Sequence, residues 1–276
     1  MTKIGFCFTG EGARGAIQAG MALGLYEKSI KADLTIGISS GSICAASYSY
    51  LGPQGLYDMW SNINNIFDVF GLNYNFLIKT GLLNQKPMEK IVKNAMKNNP
   101  ICESIVTKMN IETGEMQYIS NQASSREDFQ ESVLSSVAIT ALVEDRNGWV
   151  DAGSRQLAPL KQAIQNGCDK IYVIMGRPLA LSYWKRPEKG ILKQVKMAFR
   201  ALDISLYEIM LRDINQFIKK YENIEIFLVE PNILFYESIE FNKCKLGVKQ
   251  GRDQFTILDS SYIKNFLNKS LIDQEY

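Results

Sequence analysis

The chain has no histidine among its 276 residues, so Ser-His-Asp and Cys-His arrangements and histidine-based metal sites are excluded, and acid-base chemistry falls to Asp, Glu, Lys, Tyr or Cys. Three segments could still support nucleophilic chemistry. Gly37-Ile38-Ser39-Ser40-Gly41 is a GxSxG match. Such a match is often only a small-residue turn, but here it falls between an expected strand and an expected helix. That setting presents a serine hydroxyl on a sharp turn, with flanking small residues relieving the crowding and a helix N-terminus below a developing oxyanion. The loop Gly10-Glu11-Gly12-Ala13-Arg14-Gly15 sits in an equivalent place after the first strand. It fits a GxGxxG dinucleotide fingerprint, though the acidic residue wanted at the end of the second strand is missing, because Asp33 precedes that strand and Ser39 ends it. It fits equally a cradle of main-chain N–H donors beside Ser39, or a purely structural turn. Asp151, in Asp151-Ala152-Gly153, also lies on a strand-to-helix connection and is a candidate base. As a turn signal alone it is weak.

The elements around these residues alternate. Continuous apolar runs predict buried strands at 4–8 and 34–38, each followed by a helix, at 15–28 (Ile17, Met21 and Leu25 inward) and 40–50. Two such units argue for a parallel sheet with helices on both faces. The 52–100 stretch mixes Asn with aromatics (Trp60, Phe67, Phe70, Tyr74, Phe76) and reads as a helical insertion or lid. A hairpin is expected at 104–109 and 116–119, then a short helix to about 136 capped near Asp128, and a further strand-loop-helix-strand unit through Asp151 to 175. An amphipathic helix is expected at 191–221 with Phe199, Leu202, Leu206, Ile209 and Phe217 on one side, then a strand at 224–229 and a terminal helix at 255–267.

Composition narrows the class. With 46% hydrophobic and 22% charged residues, the chain has the balance of an ordinary globular protein. A net charge of +2 with scattered Lys and Arg argues against a nucleic-acid partner. Five scattered cysteines without a CxxC pair suit a reducing compartment, and the start of the chain lacks a signal-peptide pattern, so a cytoplasmic location is expected.

Together the three segments resemble the patatin-like phospholipase family, whose pattern is a GGxR/KG oxyanion loop, a GxSxG elbow and a later DG(G/A) aspartate. The resemblance covers roughly the first 180 residues well, including the stretch after Asp151 and Ser135 to Leu142 before it. It implies a three-layer α/β/α fold with a mainly parallel central sheet, 1–180 forming the catalytic core with the 52–100 insertion, and 181–276 completing the same domain. It also implies a Ser39-Asp151 dyad without cofactor or metal, oxyanion donors from Gly10, Glu11, Gly12 and Ala13, loop support from Arg14 and Gly15, an elbow flanked by Gly37 and Gly41, and lipid acyl esters as substrates. Glu11 stands where the family usually has Gly, which would bring a carboxylate near the developing charge or force a strained positive φ. Ala152 likewise replaces a Gly. The aromatic insertion and the basic start of the 191–221 helix (Lys189, Lys193, Lys196, Arg200) suit contact with a lipid interface, or simply pack on the protein's own core. A noncatalytic lipid-binding protein and a dinucleotide enzyme remain the competing classes.

Overall fold

The computed structural model describes residues 2–74, 81–140, 142–180, 192–221, 223–234 and 236–272, with the backbone alone at 192–196 and 269–272. In chain order the elements are β1 (Ile4–Phe8), α1 (Gly15–Glu27), β2 (Leu34–Ile38), α2 (Ser40–Ser61), β3 (Gly71–Leu72), β4 (Leu83–Asn84), α3 (Lys86–Ala95), β5 (Glu103–Asn110), β6 (Met116–Ser120) and α4 (Arg126–Ser136). They continue with β7 (Trp149–Asp151), α5 (Leu160–Gln165), β8 (Lys170–Ile174), α6 (Leu192–Lys220), β9 (Glu225–Pro231), α7 (Cys244–Asp253), β10 (Phe255–Leu258) and α8 (Ser260–Ile272).

The main sheet runs β10-β9-β8-β1-β2-β5-β6, with β7 also paired to β5. Its centre is parallel, while β10, β6 and β7 run antiparallel to their neighbours. Strand alternation sends successive side chains to opposite faces. Phe6, Phe8, Tyr172, Ile174 and Val229 accordingly pack with α1, α2, α4 and α7, whereas Cys7, Ile171, Val173, Ile226 and Leu228 pack with α5, α6 and α8. The result is a three-layer α/β/α fold with a core on each side of a mostly parallel sheet.

The helix before the aspartate is capped, as expected, near Asp128: the cap is Ser125, whose side chain accepts the Asp128 amide. Several other expectations change. Residues 255–258 form β10 on the edge of β9, and the last helix starts only at Ser260. α2 runs on to Ser61 across a break at Gly52 and Pro53, and the 62–85 stretch carries a small hairpin, β3 with β4. Phe76 lies outside the described residues. On α6 the buried stripe is Asp203, Tyr207, Met210, Ile214 and Phe217; of the expected face Phe217 is buried, Leu206 and Ile209 pack at its margin partly buried, and Leu202 is 45% exposed.

Candidate active site

β1 and β2 lie side by side in the sheet, and each feeds a loop at its C-terminal end, where ligands of such sheets collect. The chain turns from β2 into α2 at Ser39, whose φ of 55° and ψ of −131° are unfavourable for a residue with a side chain and cost about 1–3 kcal/mol. The turn is tight enough that a Cβ on Gly37 would lie 2.0 Å from the Gly41 carbonyl oxygen. The strand-to-helix turn falls at Gly37 to Gly41, between β2 and the start of α2.

Asp151 reaches the same point by register. β2 pairs with one edge of β5 through Ile38 opposite Thr107. β7 pairs with that strand in the opposite direction through Asp151 opposite Lys108. β6 holds the other edge throughout, since Lys108 also faces Gln117 and Met109 also faces Met116. β2 and β7 therefore meet head to head along one edge of β5, and their last residues adjoin across consecutive β5 positions. Ser39 Oγ donates to Asp151 Oδ2 at 2.5 Å, although the residues are 112 positions apart. The other carboxylate oxygen accepts the Gly153 amide at 2.8 Å. Burial raises the Asp151 pKa to about 6, and these two hydrogen bonds only partly oppose it. Ala152 is fully buried and its φ is not positive, so the turn accepts a methyl group there.

The 10–15 loop lies over the serine. Gly10 is close enough that a Cβ would fall 2.8 Å from Ser39 Cβ, and Gly15 lies against the Trp60 ring. Glu11 carries no positive φ: its φ is −146°. Its carboxylate is held by the interior, accepting from Thr9 Oγ at 2.7 Å, Gly176 N at 2.8 Å and Arg177 Nε at 2.6 Å. The positive φ belongs to Gly12, at 60°. Two of the four loop amides are engaged: Glu11 N donates to Ser40 Oγ at 3.0 Å and Ala13 N to the Ser238 carbonyl at 2.7 Å. The Gly10 and Gly12 amides have no hydrogen-bond partner among the described residues.

Arg14 is 1% exposed. It donates to the Tyr236 carbonyl at 3.1 Å and to Asp203 Oδ1 at 2.9 Å. Asp203 also takes Arg177 and Arg200. Burial would raise its pKa, but Arg177 and Arg14 outweigh that and hold it below the usual carboxylate range. This buried network fastens the loop to α6, and neither Arg177 nor Asp203 was recognised from sequence. The signal was present in Asp203, a carboxylate in register with Tyr207, Met210 and Ile214. Ser136, whose hydroxyl accepts the Ser39 amide at 3.0 Å, also escaped notice.

Two cavities meet at Ser39. One, of about 260 Å³, is walled by apolar side chains including Ile43, Trp60, Val69, Phe70, Met88 and Phe241. The other, of about 220 Å³, includes Gly10, Asp151, Thr140, Ser154, Leu157 and Leu206. A larger open groove of about 730 Å³ beside Asn84, Glu89 and Arg146 includes neither Ser39 nor Asp151.

The site is thus a serine on a sharp strand-to-helix turn, facing a carboxylate at the edge of a mostly parallel α/β/α sheet. Residues 6–164, more than half of the chain, match the family described as Patatin-like phospholipase, and the chain belongs to that family. Its general activity is therefore lipid acyl hydrolysis. Eleven solved chains match; the crystal structure of VipD from Legionella pneumophila is 14% identical, with 97% of this chain and 67% of that chain covered and a TM-score of 0.46. No curated protein matches the chain.

Proposed function

We propose that the chain hydrolyses lipid acyl esters, in the manner of a phospholipase A or lysophospholipase, with Ser39 as nucleophile and Asp151 as base. The observation that carries this is the 2.5 Å contact of Ser39 Oγ with Asp151 Oδ2 at the mouth of an apolar cavity. Ser39 Oγ attacks the acyl carbonyl while its proton passes to Asp151. The Gly10 and Gly12 amides, with that of Ser40 at the start of α2, receive the oxyanion. Asp151 then protonates the leaving alcohol, and afterwards takes a proton from the water that cleaves the acyl-enzyme. A carboxylate with a pKa of about 6 is better matched to this work near neutral pH than an ordinary one. The apolar cavity takes the acyl chain and the second cavity the leaving group.

Contact with a lipid surface is supported by the β3-β4 hairpin region. Val69, Phe70 and Leu83 line the acyl cavity, while nearby Phe67, Leu72, Tyr74 and Leu82 are exposed. At the basic segment, Lys189 and the side chains of Lys193 and Lys196 lie outside the described residues, and Arg200 pairs with Asp203. No described helix is long and apolar enough to cross a membrane. A cytoplasmic location is supported by five unpaired cysteines. Residues 181–276 belong to one domain with 1–180, a division supported by β9 and β10 extending the same sheet.

The test is fluorophosphonate labelling together with ester turnover. Wild type should label at Ser39 and hydrolyse a lipid ester; Ser39→Ala should do neither, and Asp151→Asn should lose at least about 10³-fold in turnover. Retention of turnover by either variant overturns the assignment, and liposome binding without turnover by wild type would make the protein a noncatalytic lipid binder.

A further inference from the structure

Behind the elbow lies a chain of hydroxyl groups that the proposed chemistry does not use. Ser136, the last residue of α4, and Ser42, in the first turn of α2, are both 0% exposed. Ser136 Oγ lies 3.0 Å from Ser39 N and 2.7 Å from Ser42 Oγ, and Ser42 Oγ lies 2.8 Å from the Gly37 carbonyl. The two ends fix the direction of every proton. An amide can only donate, so Ser136 Oγ accepts from Ser39 N–H. A carbonyl can only accept, so Ser42 spends its proton on Gly37, and Ser136 must donate its own to Ser42. The result is one ordered path, Ser39 N–H to Ser136 to Ser42 to Gly37 O, which returns to the elbow it started from. Such a path in a dry interior is stronger than its links taken singly.

Two residues further on, the same segment holds the other reacting group. The Ala138 carbonyl accepts the Asp151 amide at 3.0 Å. Residues 136–138 thus grip the nucleophile by its main-chain nitrogen and the base by its own. We propose that Ser136 is a positioning residue for the hydrolysis: with Ala138 it forms a brace that sets the gap between Ser39 and Asp151 and holds the serine at its unfavourable φ. This rests on the dyad proposed above. No substrate contact is assigned to Ser136, which acts only through Ser39.

The brace makes a specific claim about what its loss would look like. Without the Ser136 acceptor, Ser39 N–H is buried unpaired and the elbow relaxes away from Asp151. Misplacement of a reacting group by about 1 Å is worth roughly 10²-fold in rate, so Ser136→Ala should lower kcat by about 10- to 100-fold per active site titrated with fluorophosphonate, with KM within about twofold. The hydrogen bond from Ser39 is one of the two groups holding the Asp151 pKa down. Weakening it should therefore move the acid limb of the kcat/KM profile upward, a change that loss of folded protein alone would not produce. Ser42→Ala leaves the Ser39 contact in place but removes the acceptor for the Ser136 proton; it should show a smaller fall of the same kind. The double variant should lose less than the product of the two single losses.

The experiment is steady-state kinetics across pH for wild type, Ser136→Ala, Ser42→Ala and the double variant, beside Ser39→Ala and Asp151→Asn. If the last two remain active, the dyad itself is wrong. If both are inactive while Ser136→Ala keeps wild-type kcat and an unmoved acid limb, the brace is wrong and the dyad stands. Should Ser136→Ala fail to fold, Ser42→Ala decides: a lowered kcat with a raised acid limb supports the brace, and wild-type behaviour overturns it.

Discussion

Replacing Asp151 with Asn should shift stability toward the variant as pH rises, by an amount that depends on pH in a defined way. Burial raises the Asp151 pKa from 3.8 to about 6, so the folded chain holds this proton more tightly than the unfolded chain does. The native state is therefore favoured while both states keep the proton, below about pH 4. It loses stability as pH rises through the window between 3.8 and about 6, and the penalty is constant above that. A shift of this size corresponds to about 3 kcal/mol. Asn carries no charge at any pH and escapes the penalty. The stability difference between Asp151→Asn and wild type, measured from urea midpoints between pH 4 and 8, should grow from its acid value by about 3 kcal/mol in favour of Asn, with most of the change below pH 6.5. With Asp151 as the proposed base, the acid limb of wild-type kcat/KM should lie near pH 6. A stability difference that does not vary with pH, or one that moves toward wild type at pH 8, would refute the reasoning. On the role proposed for Asp151, the base is kept ionised where folding alone would prefer a neutral group.

Glu11→Ala removes the carboxylate partner of Arg177, which is 4% exposed, and should destabilise the protein by about 3–5 kcal/mol in chemical denaturation, as expected when one member of a buried pair is lost. Ile43→Trp adds bulk inside the 260 Å³ cavity; kcat/KM for long-chain p-nitrophenyl esters should fall by at least about 10-fold, while acetyl and butyryl esters change by less than about threefold. Phe67→Glu combined with Leu72→Glu places charge on the exposed side of the hairpin region and should reduce co-sedimentation with anionic liposomes severalfold, with turnover of a water-soluble short ester unchanged.

Much of the central sheet was legible because strands buried on both faces are continuous apolar runs, as in β1 and β2. The catalytic candidates were legible for a different reason: three motifs, in order, resemble those of the patatin-like family, while the absence of histidine only narrowed the choice of base and the turn at Asp151 was a weak signal by itself. What escaped depends on distant partners. α7 covers the outer face of α1, yet it offers few large apolar residues; Gly247 and Gly251 are among its buried positions, so no hydrophobic stripe announced it. The four residues of β10 are too short a run for periodicity to separate strand from helix. The centre of the buried face of α6 was read one position off because its register includes Asp203, which is tolerated in the interior because Arg14 and Arg177 neutralise it. Glu11 carried the same lesson, since its orientation is decided by Arg177, 166 positions later. The Ser39-Asp151 contact required the pairing register of β5, and the order of motifs along the chain does not contain it.

That register also separates what can change in this protein from what cannot. Because β2 and β7 end against neighbouring residues of a single strand, the spacing of Ser39 and Asp151 is counted in backbone repeats and not in the length of chain between them. The hairpin and α3, which bring Leu83 and Met88 to the apolar cavity, take no part in that pairing, so a change of length there leaves the register itself untouched. Slippage of β7 by a single residue would be far more damaging than such a change, since it would turn the aspartate to the opposite side of the sheet.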